Sequence, residues 1–456
     1  MDRSVKSYLS EFVEIMTKEG LEDLVIQSFS NAYYKVLEGA TGTLSEAEIE
    51  PPANDNLIDY DNLESAASSP LEKLAVIKLN GGLGTSMGLM KAKTLLKIKG
   101  ENNFLDVIAK QILQLRKDSG KDIPLILMHS FNTQTDSLSY LEKYPNLALP
   151  HIPLDFVQNK FPKIKLNDLS PLKNENDNLN WNPPGHGEIY TALAISGVLD
   201  KLITQGFEYA FISNSDNLGA VIDAKILAHF AEEKLPFLME VSKRTEMDKK
   251  GGHLAQSKKG QLMLRETAQC PDDEVDLFQD INRYSYFNTN NLWINLKALK
   301  QRLYETRYLL PLTMILNKKE VDGEKVYQVE SAMGAAISVL KNSRAIIVNR
   351  DRFAPVKKTN DMLAILSDAY ELSSENKLKL INEYGKVPHI ELNEEFYKNI
   401  NDFEKRFTDG IPSLKKCKNL IVTGDVYFGR NVEIRGDVRI TNNLHLVNII
   451  LEDEEM

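Results

Sequence analysis

Apolar residues recur along this chain with three different periods, and each period predicts a different kind of element. Over residues 1 to about 50, Val5, Leu9, Phe12, Val13 and Met16, then Leu21, Leu24, Val25 and Phe29, keep the three-and-four spacing of helices with one buried face. The next stretch, PPANDNLIDYDNLESAASSP (51–70), mixes Pro, Asn, Asp and Ser and reads as a connection. From Leu71 onward short apolar runs alternate with helical stretches. The runs are AVIKL (75–79), PLILM (124–128), LDFV (154–157), EYAFIS (208–213), PFLMEV (236–241), NLWINL (291–296) and AIIV (345–348). Between the first two lies a good helix, NFLDVIAKQILQLRKDSG (103–120). Such alternation predicts a largely parallel sheet covered on both faces. Ligands of these sheets sit beyond the carboxyl ends of the strands, so the residues after each run are where function is sought.

The third period is a repeat of six. Leu420, Val422, Val426, Phe428, Val432, Ile434, Val438, Ile440, Leu444 and Leu446 all fall on even positions, and Gly424, Arg430, Gly436 and Asn442 interrupt them at every third one. This predicts a parallel β-helix, with an antiparallel pair of alternating faces as the simpler alternative. So few hexads make less than two coils of three, so the segment is expected to lean on a neighbour.

Composition narrows the function class. The chain has 456 residues, enough for two or three domains, because single cores stop growing near ~250–300 residues. A net charge of −10 argues against a nucleic-acid binder, so an anionic ligand must be met by particular Lys and Arg side chains. The first twenty residues scatter charges through any apolar stretch and do not read as a signal peptide, and no long apolar run predicts a membrane span. Two cysteines, Cys270 and Cys417, make neither a disulfide framework nor a Cys-rich metal site. A cytoplasmic location is expected.

Four segments after the strand runs, or just before a helix, could carry chemistry. LNGGLGTSMG (79–88) places four glycines in eight residues, which lets backbone N–H groups face a phosphate. It matches neither a Walker loop nor the dinucleotide pattern, and a structural turn is its plain alternative. In WNPPGHGEIY (181–190), Gly185 and Gly187 bare His186 directly before a helix expected over about 188–196; a structural histidine is the rival reading. SNSDNLG (213–219) brings Asp216 out of a buried strand, as a magnesium ligand or as part of an Asx turn with Asn214. In RFAPVKKTNDML (352–363), Lys357 and Lys358 precede a helix start that Thr359 or Asn360 would cap, though adjacent loop lysines are usually only solvated. Together these suggest phosphate chemistry by positioning and charge.

With LNGGLGTSMG, SFNT (130–133), PPGHGEIY, SNSDNLGA, FNTNNLW and PVKKTND in this order, the chain resembles the eukaryotic-type UTP–glucose-1-phosphate uridylyltransferases (UDP-glucose pyrophosphorylases) over nearly its whole length. The resemblance implies an α/β, GT-A-like (Rossmann-like) catalytic domain with a mainly parallel sheet over residues 71–385. A helical amino-terminal region and linker would occupy 1–70, and a domain with a short left-handed parallel β-helix 386–456. It implies synthesis of UDP-glucose and pyrophosphate from UTP and glucose 1-phosphate with Mg²⁺.

The same resemblance implies residue roles. The backbone of Leu79, Gly81, Gly82 and Gly84 would hold uridine and phosphates, with Lys93 reaching the triphosphate. Gln158 and Gly185 would recognise uracil, His186 the sugar phosphate, and Asn214 would line the site. Asp216 would hold magnesium; Asn288, Asn290 and Glu330 would bind sugar hydroxyls; Lys357 would contact phosphates at the reacting centre. Ala92 stands where the family usually has Pro, and Lys91 follows Met90 where the family often has Lys, which predicts a looser turn around Lys93. Homo-oligomerisation through the carboxyl-terminal coils is a further implied property. Rival readings are a broader UDP-sugar pyrophosphorylase, a non-catalytic nucleotide-sugar sensor, and a hexapeptide-repeat acyltransferase using His445.

Overall fold

The computed structural model describes residues 7–64 and 68–456; Val5 lies outside them. Eight strands make the continuous path of the central sheet: β1 (Leu57–Asp59), β2 (Leu74–Asn80), β3 (Leu125–His129), β4 (Asp155–Val157), β5 (Tyr209–Asn214), β6 (Phe237–Lys243), β7 (Tyr286–Asn295) and β8 (Arg344–Ile347). Their order is β1-β8-β6-β7-β5-β2-β3-β4. Every neighbouring pair is parallel except those involving β7, which runs antiparallel to both β5 and β6. The exception matters for function. Because β7 is reversed, its amino end lies at the edge where the other strands end, and FNTNN (287–291) reaches that edge as the first half of the strand itself. The linker also holds more order than its composition suggested, since β1 pairs with β8.

Alternate residues of each strand serve the two faces, as a sheet covered on both sides requires. Val76, Leu125, Leu127, Phe211, Leu238, Trp293 and Ile346 pack on one side with the helix Phe104–Ser119. That helix starts on Asn103, whose side chain accepts from Asp106 N–H at 2.8 Å, and ends on Gly120 at φ 65°. Ala75, Ile77, Ile126, Ala210, Ile212, Met239 and Leu292 face the other side. Helices Leu9–Lys18 and Asp23–Leu37 bury Phe12, Met16, Val25, Phe29 and Tyr33 against Phe161 and Trp181.

The carboxyl-terminal strands pair in parallel. Leu420 lies beside Val438, Val422 beside Ile440, Val426 beside Leu444 and Phe428 beside Leu446, each eighteen residues or three hexads apart. The antiparallel alternative is excluded there. A strand the hexad pattern does not reach, His389–Leu392, pairs with Ser413–Val422 and extends the stack at its start. The even-numbered apolar residues are continuous with the core on the Val76 face of the sheet, so these parallel strands lean on the central sheet's own interior. Among the described residues no helix is long and apolar enough to cross a membrane.

Candidate active site

The glycine loop begins where β2 ends. Gly84 and Gly88 are left-handed, at φ 73° and 71°, and a Cβ there would collide with Leu89 and with Asn399 respectively. Gly81 lies against Gln158, whose Nε2 would be 2.9 Å from an added Cβ, while Gly82 has open space beside it. Ser130 Oγ donates to Gly81 O at 2.9 Å. The turn that presents Lys93 is tied down despite Ala92. Its N–H donates to Gly82 O at 3.1 Å, and Thr94 Oγ1 donates to Asn80 Oδ1 at 2.7 Å. Asn80 in turn donates to Ser137 Oγ at 2.9 Å. Hydrogen bonds thus supply the rigidity that a proline ring would have given.

Lys93 Nζ pairs with Asp216 Oδ2 and donates to Val356 O at 2.7 Å, joining the ends of β2 and β5 to the loop after β8. Asp216 Oδ1 is buried and has no hydrogen-bond partner among the described residues. Asn214 closes β5 beside Leu79 of β2, and Ser215 N–H donates to Leu79 O at 3.0 Å. The Asx-type turn is made by Asn217, not by Asn214 or Asp216. Its Oδ1 accepts from Gly219 N–H at 3.2 Å and Ala354 N–H at 2.9 Å. Below this floor the Arg352 guanidinium is paired with the buried carboxylate of Glu240, which Trp293 and Asn291 also reach.

The two lysines of PVKKTND diverge. Both backbone N–H groups donate to Asp361 Oδ2, at 2.7 and 2.9 Å, so Asp361 closes the start of helix Thr359–Leu366 where Thr359 or Asn360 was expected. Lys358 Nζ turns to Glu394 at 3.1 Å. Lys357 is exposed, its Nζ 5.9 Å from the Phe353 ring centroid.

Across the edge, the PPGHG loop packs on residues 330–334. A Cβ on Gly185 or Gly187 would strike Ser331, so these glycines serve close backbone approach rather than simply baring His186. The expected helix begins as a short turn, His186–Glu188, and becomes α-helical over Ile189–Ile195. His186 Nδ1 accepts from Met333 N–H at 3.0 Å, which places the ring proton on Nε2. Burial pushes its pKa down to about 4, so the ring is neutral near pH 7. Glu330 adjoins Gly185, and burial raises its carboxyl above the usual range. Asn290 adopts φ 58° at a β-bulge opposite Glu240 and Val241, and Asn288 Nδ2 donates to its Oδ1 at 2.8 Å.

Two carboxylates of the site escaped the sequence reading. Glu266 presses on Gly252, whose carbonyl accepts from Asn288 N–H at 3.4 Å; burial raises its pKa, and the charge of Lys357 opposes that. The Gly251-Gly252 pair was its one available signal. Glu188, at the end of the PPGHGE motif, is buried and bonded to Asn159.

A family model described as UTP–glucose-1-phosphate uridylyltransferase matches residues 26–435. The enzyme of that name from Astragalus penduliflorus is 42% identical over 425 residues, covering 90% of this chain and 88% of the relative. That from Solanum tuberosum is 41% identical, covering 90% and 87%. Among solved structures, a variant of UDP-glucose pyrophosphorylase from Leishmania major in complex with UDP-glucose superposes with TM-score 0.92 at 41% identity, covering 99% of this chain and 100% of that one. A Trypanosoma brucei structure described as UDP-glucose phosphorylase gives TM-score 0.90 at 41% identity, covering 98% and 99%. The chain belongs to the UTP–glucose-1-phosphate uridylyltransferase family and converts UTP and glucose 1-phosphate to UDP-glucose and pyrophosphate.

Proposed function

We propose that the reaction takes place at the carboxyl edge of the sheet, with Lys93, Lys357 and a magnesium ion on Asp216 offsetting the repulsion between two anionic substrates. A phosphate oxygen of glucose 1-phosphate attacks the α-phosphorus of UTP in line. One P–O bond forms as the bond to the β-phosphate breaks, and pyrophosphate leaves with its electron pair. No covalent enzyme intermediate is involved. The observation that carries this reading is the meeting of Lys93 with Asp216 and Val356 O, which brings three strand-end loops to one point.

The remaining roles are those the shared motifs imply. Leu79, Gly81, Gly82 and Gly84 line the nucleotide with backbone, Gln158 and Gly185 face uracil, and Asn214 borders the site. His186 offers Nε2–H to the sugar phosphate as a neutral donor. Asn288, Asn290 and Glu330 bond to sugar hydroxyls. Asp216 suits magnesium because its Oδ1 has no partner among the described residues. Among the described residues no cluster of three or more His, Cys, Asp or Glu forms a closed cage, so phosphate oxygens and water would complete the coordination. Bound there, magnesium would neutralise phosphate charge. The Lys93–Asp216 pair must loosen when phosphates arrive, and Val356 O lies ready to keep Lys93 nearby.

Three coarser features complete the proposal. The chain divides into a helical amino-terminal region and linker (1–70), a GT-A-like catalytic domain (71–385) and a carboxyl-terminal domain whose parallel coils form a short left-handed β-helix (386–456). It works in the cytoplasm. Its coils offer a surface for homo-oligomers. Pyrophosphate release, measured with a panel of nucleoside triphosphates and sugar 1-phosphates with and without Mg²⁺, tests the site reading. UTP with glucose 1-phosphate should lead by kcat/KM and require the metal. Comparable rates with galactose 1-phosphate would favour the broader UDP-sugar enzyme, and turnover without a divalent cation would refute the role of Asp216.

A further inference from the structure

Glu188 is buried, 7% exposed, and among the described residues no cation pairs with it. Burial therefore pushes its carboxyl up to about 7. A buried carboxyl without a cation is a costly way to fill space. Among the described residues the hydrogen bonds to its carboxyl come from Asn159. The Asn159 backbone N–H donates to Oε2 at 3.3 Å and the side-chain Nδ2 to Oε1. Asn159 follows Gln158, whose N–H is itself fixed on His129 O at 2.8 Å and whose amide lies against Gly81. Glu188 ends the turn that begins directly after Gly185. The carboxyl is thus a cross-brace between the two segments that hold Gln158 and Gly185.

We infer that Glu188 is a positioning residue for base selection: by clamping Asn159 it fixes the separation of Gln158 from Gly185, and so the slot that accepts a uracil edge. The inference rests on the proposal that these two residues face uracil. It separates Glu188 from a packing residue, whose loss would lower stability without changing which base is preferred.

The test uses the full chain with Glu188→Ala, Glu188→Gln and Asn159→Ala, and with Gln158→Ala as the reference. Steady-state kcat and KM are measured for UTP and for CTP, with circular dichroism and melting to confirm folding. Glu188→Ala should raise KM for UTP about tenfold, the scale of one buried hydrogen bond, and lower the UTP-to-CTP ratio of kcat/KM by about as much. Its kcat should stay within about threefold of the parent. Glu188→Gln, whose amide oxygen still accepts from Asn159, should recover most of the loss. Asn159→Ala removes the clamp from the other side and should reproduce it, so the test survives if Glu188→Ala does not fold. If Gln158→Ala lowers the UTP-to-CTP ratio while the Glu188 and Asn159 variants leave it unchanged, the inference is wrong and the uracil assignment stands. If Gln158→Ala itself leaves the ratio unchanged, the uracil assignment fails and takes the inference with it.

Discussion

The carboxyl edge of the sheet and the carboxyl-terminal coils are both tightly buried, yet they are built on opposite principles. At the edge the buried positions include Asn80, Ser130, Thr133, Asn217, Glu240 and Arg352, each tied by named hydrogen bonds. In the carboxyl-terminal stack the buried positions include Leu420, Val422, Val426, Phe428, Ile434 and Ile440, on strands aligned by parallel pairing. Buried polar networks specify one geometry but are exacting, since an unsatisfied partner costs more than the bond contributes. An apolar stack is tolerant of detail and sensitive to volume. The edge spends stability on placement, and the coils return it through the core they share with the sheet.

The comparison can be broken first at Phe428, 1% exposed and stacked on Phe407 at 4.9 Å between centroids. Phe428→Ala should cost about 3–5 kcal/mol by denaturant unfolding, while kcat per folded molecule changes less than twofold. A large fall in kcat with stability retained would mean that the coils take part in the chemistry. At the edge the expected balance is reversed. Asn80→Ala frees Thr94 and Ser137, loosens the turn under Lys93, and should lower kcat about tenfold for about 1–2 kcal/mol of stability. An unchanged kcat would mean that the turn is held by Lys93 N–H on Gly82 O alone.

A third test is set by pH. His253 is fully buried, stacked on Tyr284 at 3.9 Å, and its Nε2 has no partner among the described residues. Burial holds its pKa down to about 3, against an ordinary value of 6.5. The unfolded chain therefore binds a proton that the folded chain refuses, and this residue's contribution to stability is lost as pH falls below 6.5. His253→Phe removes that penalty. Relative to the parent, its stability should improve by roughly 1.4 kcal/mol per pH unit from about 6.5 towards 4. Parallel stability–pH curves for the two proteins would refute the buried neutral imidazole.

How far each region was legible follows from the same contrast. The coils announced themselves through a strict period, and the seven apolar runs from Ala75 to Val348 all lie on strands of the sheet. Missed were β1, hidden among turn-forming residues, and the reversal of β7, because an apolar run carries no sign of direction. The motifs marked the candidate site, but the partners that shape it were invisible. Asp361 rather than Thr359 or Asn360 closes the helix after Lys357, and Asn217 makes the turn beside Asp216. Glu266 comes from a segment whose relation to the edge exists only after folding, and Glu188, though inside a motif, meets Asn159 only there. Hydrogen-bond partners distant in sequence leave no period to read.

The central claim is that placed positive charge lowers the barrier, and Lys357 beside Lys358 tests it most directly. The two share a backbone cap on Asp361, but Lys358 Nζ is engaged with Glu394 while Lys357 makes no salt bridge among the described residues. Steady-state kinetics on Lys357→Ala and Lys358→Ala, with circular dichroism on both, separate the roles. If Lys357 acts mainly on the transition state, its loss should cut kcat roughly a hundredfold or more, about 3 kcal/mol, with a much smaller rise in KM. Lys358→Ala should stay near the parent. A crippled Lys358→Ala beside a near-normal Lys357→Ala would contradict the account.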